Sequence, residues 1–214
     1  MNKWYDEDKV DLVIDVPNSG VALAVSQIAS TKNKVFIVSG AAASDLTGPK
    51  CNANTVHWTY DTWMLANGTG NAIVKTGGDS WFFITADYAF GHSLEKDASD
   101  IIKSEGGKII GSVKHHLNNL DFSSFMLQAQ ASNAKVVGLA NAGGDTINAI
   151  KAANEFGLTK NQKLAGLLVF INDVHALSLN VTKGMQLTES FYWDLNDETR
   201  KFSRRYFERM KKMP

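Results

Sequence analysis

Short runs of branched and aromatic apolar residues recur along this chain. Each is followed by a stretch whose apolar residues return at helical spacing. That alternation leaves few folds open. Residues 10–16 predict a strand, apolar enough to be covered on both faces, and Pro17 stops it. The helix that follows places Val21, Ala22, Val25, Ile28 and Ala29 on one side, with Asn18 or Ser19 as its cap. Residues 34–38 form the next strand, and 39–44 a loop of small residues. The pattern restarts after Gly77-Gly78. Strands are expected near 81–86, 108–113 and 136–140, with apolar runs at 164–170 and 185–191. Between them lie a helix burying Leu94, Ala98, Ile101 and Ile102, and two helices capped by Asp121 and Asp145. A last helix, near 198–211, carries Phe202, Tyr206 and Met210 as a packing stripe.

Strands alternating with helices, without hairpin dipeptides between them, imply right-handed βαβ units and parallel sheets, an α/β fold. One sheet holds the strands near residues 12 and 36, another those from 81 onward, with 49–63 as the hinge. The expected organisation is a first lobe of 1–60 and 189–214, only partly present, and a second lobe of 61–188.

Lys plus Arg equals Asp plus Glu, 22 each, so no overall field draws the chain to nucleic acid or to a membrane surface. Basic residues do cluster on the last helix, from Arg200 to Lys212, but without aromatics placed to stack on bases. The sole cysteine, Cys51, has no partner for an internal disulfide. No apolar run is long enough to span a bilayer, and the polar start of the sequence is unlike an export signal.

The usual chemistry-bearing motifs are absent. No Gly-x-Gly-x-x-Gly follows a strand, and no phosphate loop or Gly-x-Ser-x-Gly elbow occurs. His115 and His116 are adjacent in an expected strand, so they face opposite ways and cannot hold one ion together. The sequence therefore calls for no cofactor and no metal. In an open parallel sheet, ligands sit beyond the carboxyl ends of the strands. Here those ends are Asn18 and Ser19, then Ser39 to Ser44, then Asp87 to Gly91, then Asn141 to Asp145, then 171–173. Helix N-termini among them suit a carboxylate, and Tyr88 and Phe90 offer ring faces to an apolar body.

These segments carry a resemblance. Residues 11–16 with Asn18-Ser19, Ser39-Gly40-Ala41 through Asp45-Leu46-Thr47, Asp87 to Gly91, Asp121-Phe122-Ser123 and Lys183-Gly184-Met185 occur in an order and spacing similar to type I periplasmic solute-binding proteins of ABC transporters. The branch resembled is the one named for branched-chain amino acids, and Asp87 to Gly91 look closest to its aromatic-acid subgroup. The resemblance implies two Rossmann-like lobes joined by a hinge, closing on a small organic acid. It implies that an ABC importer permease is the partner, that the location is periplasmic and that no catalysis occurs. Carried over by position, Ser19 and the Ala41–Ala42 backbone would hold the ligand carboxylate. Phe90, with Tyr88 beside it, would contact its body, and Asn141-Ala142-Gly143 would form a second-lobe contact. Phe170, Ile171 and Asp173 lie where amino-acid binders place an acid for the ligand ammonium. No unambiguous acid stands there, which favours an aromatic carboxylate over a branched-chain amino acid.

Family members extend beyond both ends of this sequence, so the resemblance also implies a fragment whose export signal lies elsewhere. Two other functions use comparable folds. An effector-sensing domain of a regulator would be attached to a DNA-binding segment, and an α/β enzyme would need an acid or base such as Asp87 or His92 in the cleft.

Overall fold

The computed structural model describes residues 1–214 and contains two separate parallel sheets. The first is ordered β1-β2-β3, from Leu12–Ile14, Val35–Val38 and Thr55–His57. The second is ordered β5-β4-β6-β7, from β4 (Ser80–Ala86), β5 (Lys108–His115), β6 (Val136–Ala140) and β7 (Lys163–Gly166). The connecting helices are α1 (Asn2–Asp6), α2 (Ser19–Thr31), α3 (Thr62–Lys75), α4 (Ala89–Ser104), α5 (Ser123–Ala131) and α6 (Gly143–Glu155). Short helices α7 (Ile171–Leu177) and α8 (Leu179–Thr182) come next, then α9 (Asp197–Met210). None is long and apolar enough to cross a membrane.

The central strands of the second sheet are buried throughout, and successive residues feed opposite cores. Trp81 and Phe83 point toward α3 and α4, with Leu65, Ile73, Leu94, Ala98 and Ile102. Phe82 and Ile84 point the other way, with Met126 of α5 and Ala149, Ile150 and Ala153 of α6. The first sheet differs. Val13, Phe36 and Val38 pack under Ala22, Val25 and Ala29 of α2, while Leu12, Ile14, Val35 and Val56 on the other face are exposed. The run at 10–16 is thus a short strand covered on one face, where its composition alone suggested two.

Other expectations are corrected by local bonding. The 49–63 connection contains β3, whose three residues pair with Phe36, Ile37 and Val38. The run at 185–191 adds only one bridge, Gln186 beside Ala165, to the edge of β7. Asp121 does not cap α5 from the N-cap position, because Phe122 stands there; its carboxylate instead accepts from Ser123 N–H at 2.8 Å. Asp145 lies inside the first turn of α6 and accepts from the N–H groups of Asn118 and Asn119, at 3.1 and 2.8 Å. Within these 214 residues the stripe on α9 is left largely uncovered. Phe202 and Met210 are exposed, Ser203 is the one buried residue, and Phe202 meets Phe191 and Tyr206.

Gly91 fixes how closely α4 approaches the second sheet. A Cβ there would lie 2.0 Å from Ala86 O and 3.1 Å from Ala140 O, backbone atoms that cannot yield. Gly91→Ala is therefore expected to destabilise the fold by about 2–3 kcal/mol, the range for overpacking. Gly144→Ala, with open space around it, should unfold within about 1 kcal/mol of wild type in urea melts.

Candidate functional site

Parallel pairing brings the carboxyl ends of each sheet to one edge, and the two edges meet around the crossing from β3 to α3. On the first sheet, Asp15 and Val16 both take positive φ, 82° and 60°. For a branched residue such as Val16 this is a strained conformation, of a kind that gathers at functional turns. It lays the turn against Gly40, where Ser39 Oγ donates to Asp15 at 3.2 Å. Asn18 caps α2 by accepting from Val21 N–H. Ser19 is fully buried, and its Oγ accepts from Ala42 N–H and Ala43 N–H, both at 3.2 Å. Ala41 and Ala42 are buried as well, and Ala41 O lies 2.9 Å from His57 Nε2. The Ala42 N–H is thus already satisfied, and a ligand oxygen reaching it would displace Ser19.

On the second sheet, Tyr88 is half-buried at the start of α4, its ring 5.8 Å from that of Phe90. Phe90 itself belongs to the core with Leu94 and Ala98, so Tyr88 presents the accessible ring. Tyr60, on the crossing segment, meets the exposed ring of Phe170 at 5.7 Å. Burial, with Asp145 and Tyr60 adding to it, pushes the Tyr88 phenol up to about 12. Burial and then Asp15 raise Tyr60. Both phenols are neutral hydrogen-bond donors near pH 7.

Asn141 is fully buried and committed to other side chains: its amide nitrogen lies 3.1 Å from His115 Nε2 and its oxygen accepts from Thr146 Oγ at 2.7 Å. Only Ala142 and the two glycines after it are accessible in that loop. Asp173, in the first turn of α7, reaches back to the N-cap residue, its carboxylate accepting from Phe170 N–H at 2.9 Å. Beside it Glu189 accepts from Ile171 N–H at 2.6 Å. Burial raises the Glu189 carboxyl, the Ile171 N–H draws it back, and the neighbouring Asp173 charge raises it further.

The predicted residues therefore divide. Asn18, Ser39, Tyr88, Ala142, Phe170 and Asp173 keep accessible surface, whereas Ser19, Ala41, Ala42, Phe90 and Asn141 lie beneath it. Sequence reasoning missed Tyr60 and Glu189. Tyr60 lay in the stretch assigned to the hinge, and Glu189 lies within the 185–191 run, which joins the sheet edge by a single bridge. A further missed feature is a polar network between the sheets. Thr62 Oγ donates to buried Asp97 at 2.6 Å and lies 2.8 Å from Ser93 Oγ, while Ser44 N–H donates to Thr62 Oγ at 3.0 Å. A cavity of about 600 Å³ opens beside this network, lined by Asp45, Asp61, His92, Lys96 and Asp97 among others. Tyr60, Tyr88 and Phe170 are not among its lining residues. At its rim His92 lies 2.7 Å from Asp87, an exposed pair whose hydrogen bond lowers the Asp87 carboxyl.

A family model described as periplasmic binding protein matches residues 1–214. A crystal structure of a periplasmic binding protein from Burkholderia mallei is 56% identical, with a TM-score of 0.95, covering 100% of this chain and 57% of that one. A branched chain amino acid ABC transporter periplasmic ligand-binding protein from Burkholderia xenovorans is 36% identical, with a TM-score of 0.83, over 100% of this chain and 57% of that one. Among curated proteins, Leu/Ile/Val-binding protein homolog 4 of Brucella abortus is 25% identical over 130 residues, 59% of this chain and 31% of that protein. The chain thus spans little more than half of the matched structures and about a third of that relative.

The Tyr88 environment yields a direct test. Its folded-state value is raised above the ordinary phenol value of 10.0 to about 12, so its contribution to stability is whole below pH 10 and is lost as pH rises between the two values. Ultraviolet titration should show a late-ionising tyrosine near pH 12 that disappears in Tyr88→Phe.

Proposed function

The chain belongs to the periplasmic binding protein family, matched along residues 1–214, and from that premise we propose that it captures a small organic acid for an ABC importer in the periplasm. The observation that carries this reading is the ring of accessible groups between the two sheet edges. Tyr60, Tyr88 and Phe170 supply aromatic surface, and the strained turn at Asp15–Val16 and the Ala142 loop frame it. In this reading residues 1–60 with 189–214 form one lobe and 61–188 the other. The crossing at Tyr60 is one hinge strand, and the interaction of Ser44 with Thr62 and Ser93 limits how far the lobes part. A receptor of this kind needs no nucleophile and no cofactor; it needs a cleft that closes.

The ligand we favour is an aromatic carboxylate. Its ring would lie against Phe170 and Tyr88, aromatic pairing adding about 0.5–1.5 kcal/mol beyond burial. Its carboxylate would take the N–H groups at Ala41–Ala42, displacing Ser19 Oγ, or the neutral phenol of Tyr60. One observation favours a second reading, a branched-chain amino acid. Glu189 and Asp173 place two carboxylates beside Phe170, where a ligand ammonium would find partners.

Calorimetry on the full-length protein with 4-hydroxybenzoate, cinnamate and leucine separates these. Tighter binding of an aromatic acid is expected, weakened about tenfold in Phe170→Ala and nearly unchanged in Glu189→Gln. Tighter leucine binding, lost in Glu189→Gln, would establish the second reading instead. Binding of none of the three would count against the capture of these acids.

A further inference from the structure

The turn Ala142-Gly143-Gly144 has almost nothing of its own to hold it. Its two glycines carry no side chain, Gly143 takes φ +58°, and α6 begins without a side-chain cap. What fixes it lies underneath. His115, the last residue of β5, is buried with its ring edge-on to Phe122 at 4.9 Å. Its Nδ1 lies 2.9 Å from His116 O, an atom that can only accept. Nδ1 must therefore carry the proton, and in the neutral ring that makes Nε2 an acceptor. The partner of Nε2, 3.1 Å away, is then the amide NH₂ of Asn141. With its nitrogen so assigned, the Asn141 oxygen faces Thr146 Oγ, which donates to it at 2.7 Å. A one-way chain results, from Thr146 through Asn141 and His115 to the His116 carbonyl. Every side chain in it is buried.

The same two loops are tied a second time, where Asp145 accepts from Asn118 N–H and Asn119 N–H and Asn148 Nδ2 donates to Asn119 O. The loop after β5 thus braces the loop after β6 from both sides of the glycine turn.

We propose that His115 is a positioning residue for ligand capture: through Asn141 it sets the conformation of the Ala142–Gly144 turn at the cleft. The proposal rests on the reading of that turn as part of the ligand site, but its structural half can be tested without ligand. His115→Phe keeps a ring against Phe122 and removes the acceptor; His115→Gln places a side-chain oxygen where Nε2 stands. Circular dichroism first establishes that each variant is folded. Thr146→Val breaks the same chain at its other end should the Phe variant fail to fold.

Hydrogen exchange of the ligand-free chain is then measured over residues 141–146. Exchange there should rise about tenfold or more in His115→Phe or Thr146→Val and return to within about twofold of wild type in His115→Gln, with β1 to β3 unaffected. Affinity for the acid bound by wild type should fall about tenfold in the Phe variant and recover in the Gln variant. Unchanged exchange in both disrupting variants, or a Gln variant no better than Phe, would overturn the proposal, as would altered exchange with unaltered affinity. If the exchange pattern holds while wild type binds no organic acid, the bracing stands and the functional reading falls.

Discussion

Every hydrogen-bonded strand pair in this molecule is parallel, and the placement of the candidate site depends on that. A parallel pair cannot be closed by a tight turn, so the chain must leave one edge of a sheet and return along a crossover that is usually a helix. Each return deposits a strand end and a helix start at the same edge. Residues as distant in sequence as Val16, Ser39, Tyr88, Ala142 and Phe170 are therefore delivered to loops at the strand ends. Gly91 shows how tightly the edge is built, since the first turn of α4 lies against the backbone of both β4 and β6.

The chemistry gathered at that edge is mostly uncharged. Two phenols are held neutral by burial, a buried serine and backbone N–H groups satisfy one another, and an asparagine–histidine pair is sealed beneath a glycine turn. Of the carboxylates that do approach, Asp145, Asp173 and Glu189 accept from backbone N–H groups and Asp15 accepts from Ser39 Oγ, so that each acts first as a structural acceptor. On the proposed reading, such a site would hold a molecule whose own polarity is confined to one end. Recognition then comes from shape and ring contact, and the few polar groups set orientation.

The α/β class was legible because strand and helix periods differ so plainly, and β4 and β6 stood out as unbroken apolar runs. β3 escaped because Thr55-Val56-His57 is too short to show a period. Asp121 and Asp145 have the right residue type for caps, but sequence cannot show that a nearer neighbour occupies the N-cap position. The loops at the strand ends were legible, while depth within them was not. Ser19, Phe90 and Asn141 sit beside accessible residues in sequence, yet their side chains turn inward. Glu189 and Tyr60 were missed because each acquires its neighbours only from a distant segment, Ile171 in one case and Phe170 in the other.

One consequence concerns cooperativity. The second sheet is sandwiched between cores of 16 and 15 buried residues, whereas the first rests on a single core of 9 and leaves Leu12, Ile14, Val35 and Val56 to water. Within these 214 residues, which span 57% of the matched Burkholderia mallei structure, the two sheets are thus unequally covered. Contacts that cross between them, at Ser44 with Thr62 and Ser93, couple the less covered sheet to the better covered one. On the proposed reading, a ligand that binds only when the two sheets are drawn together would add its own binding free energy to that coupling.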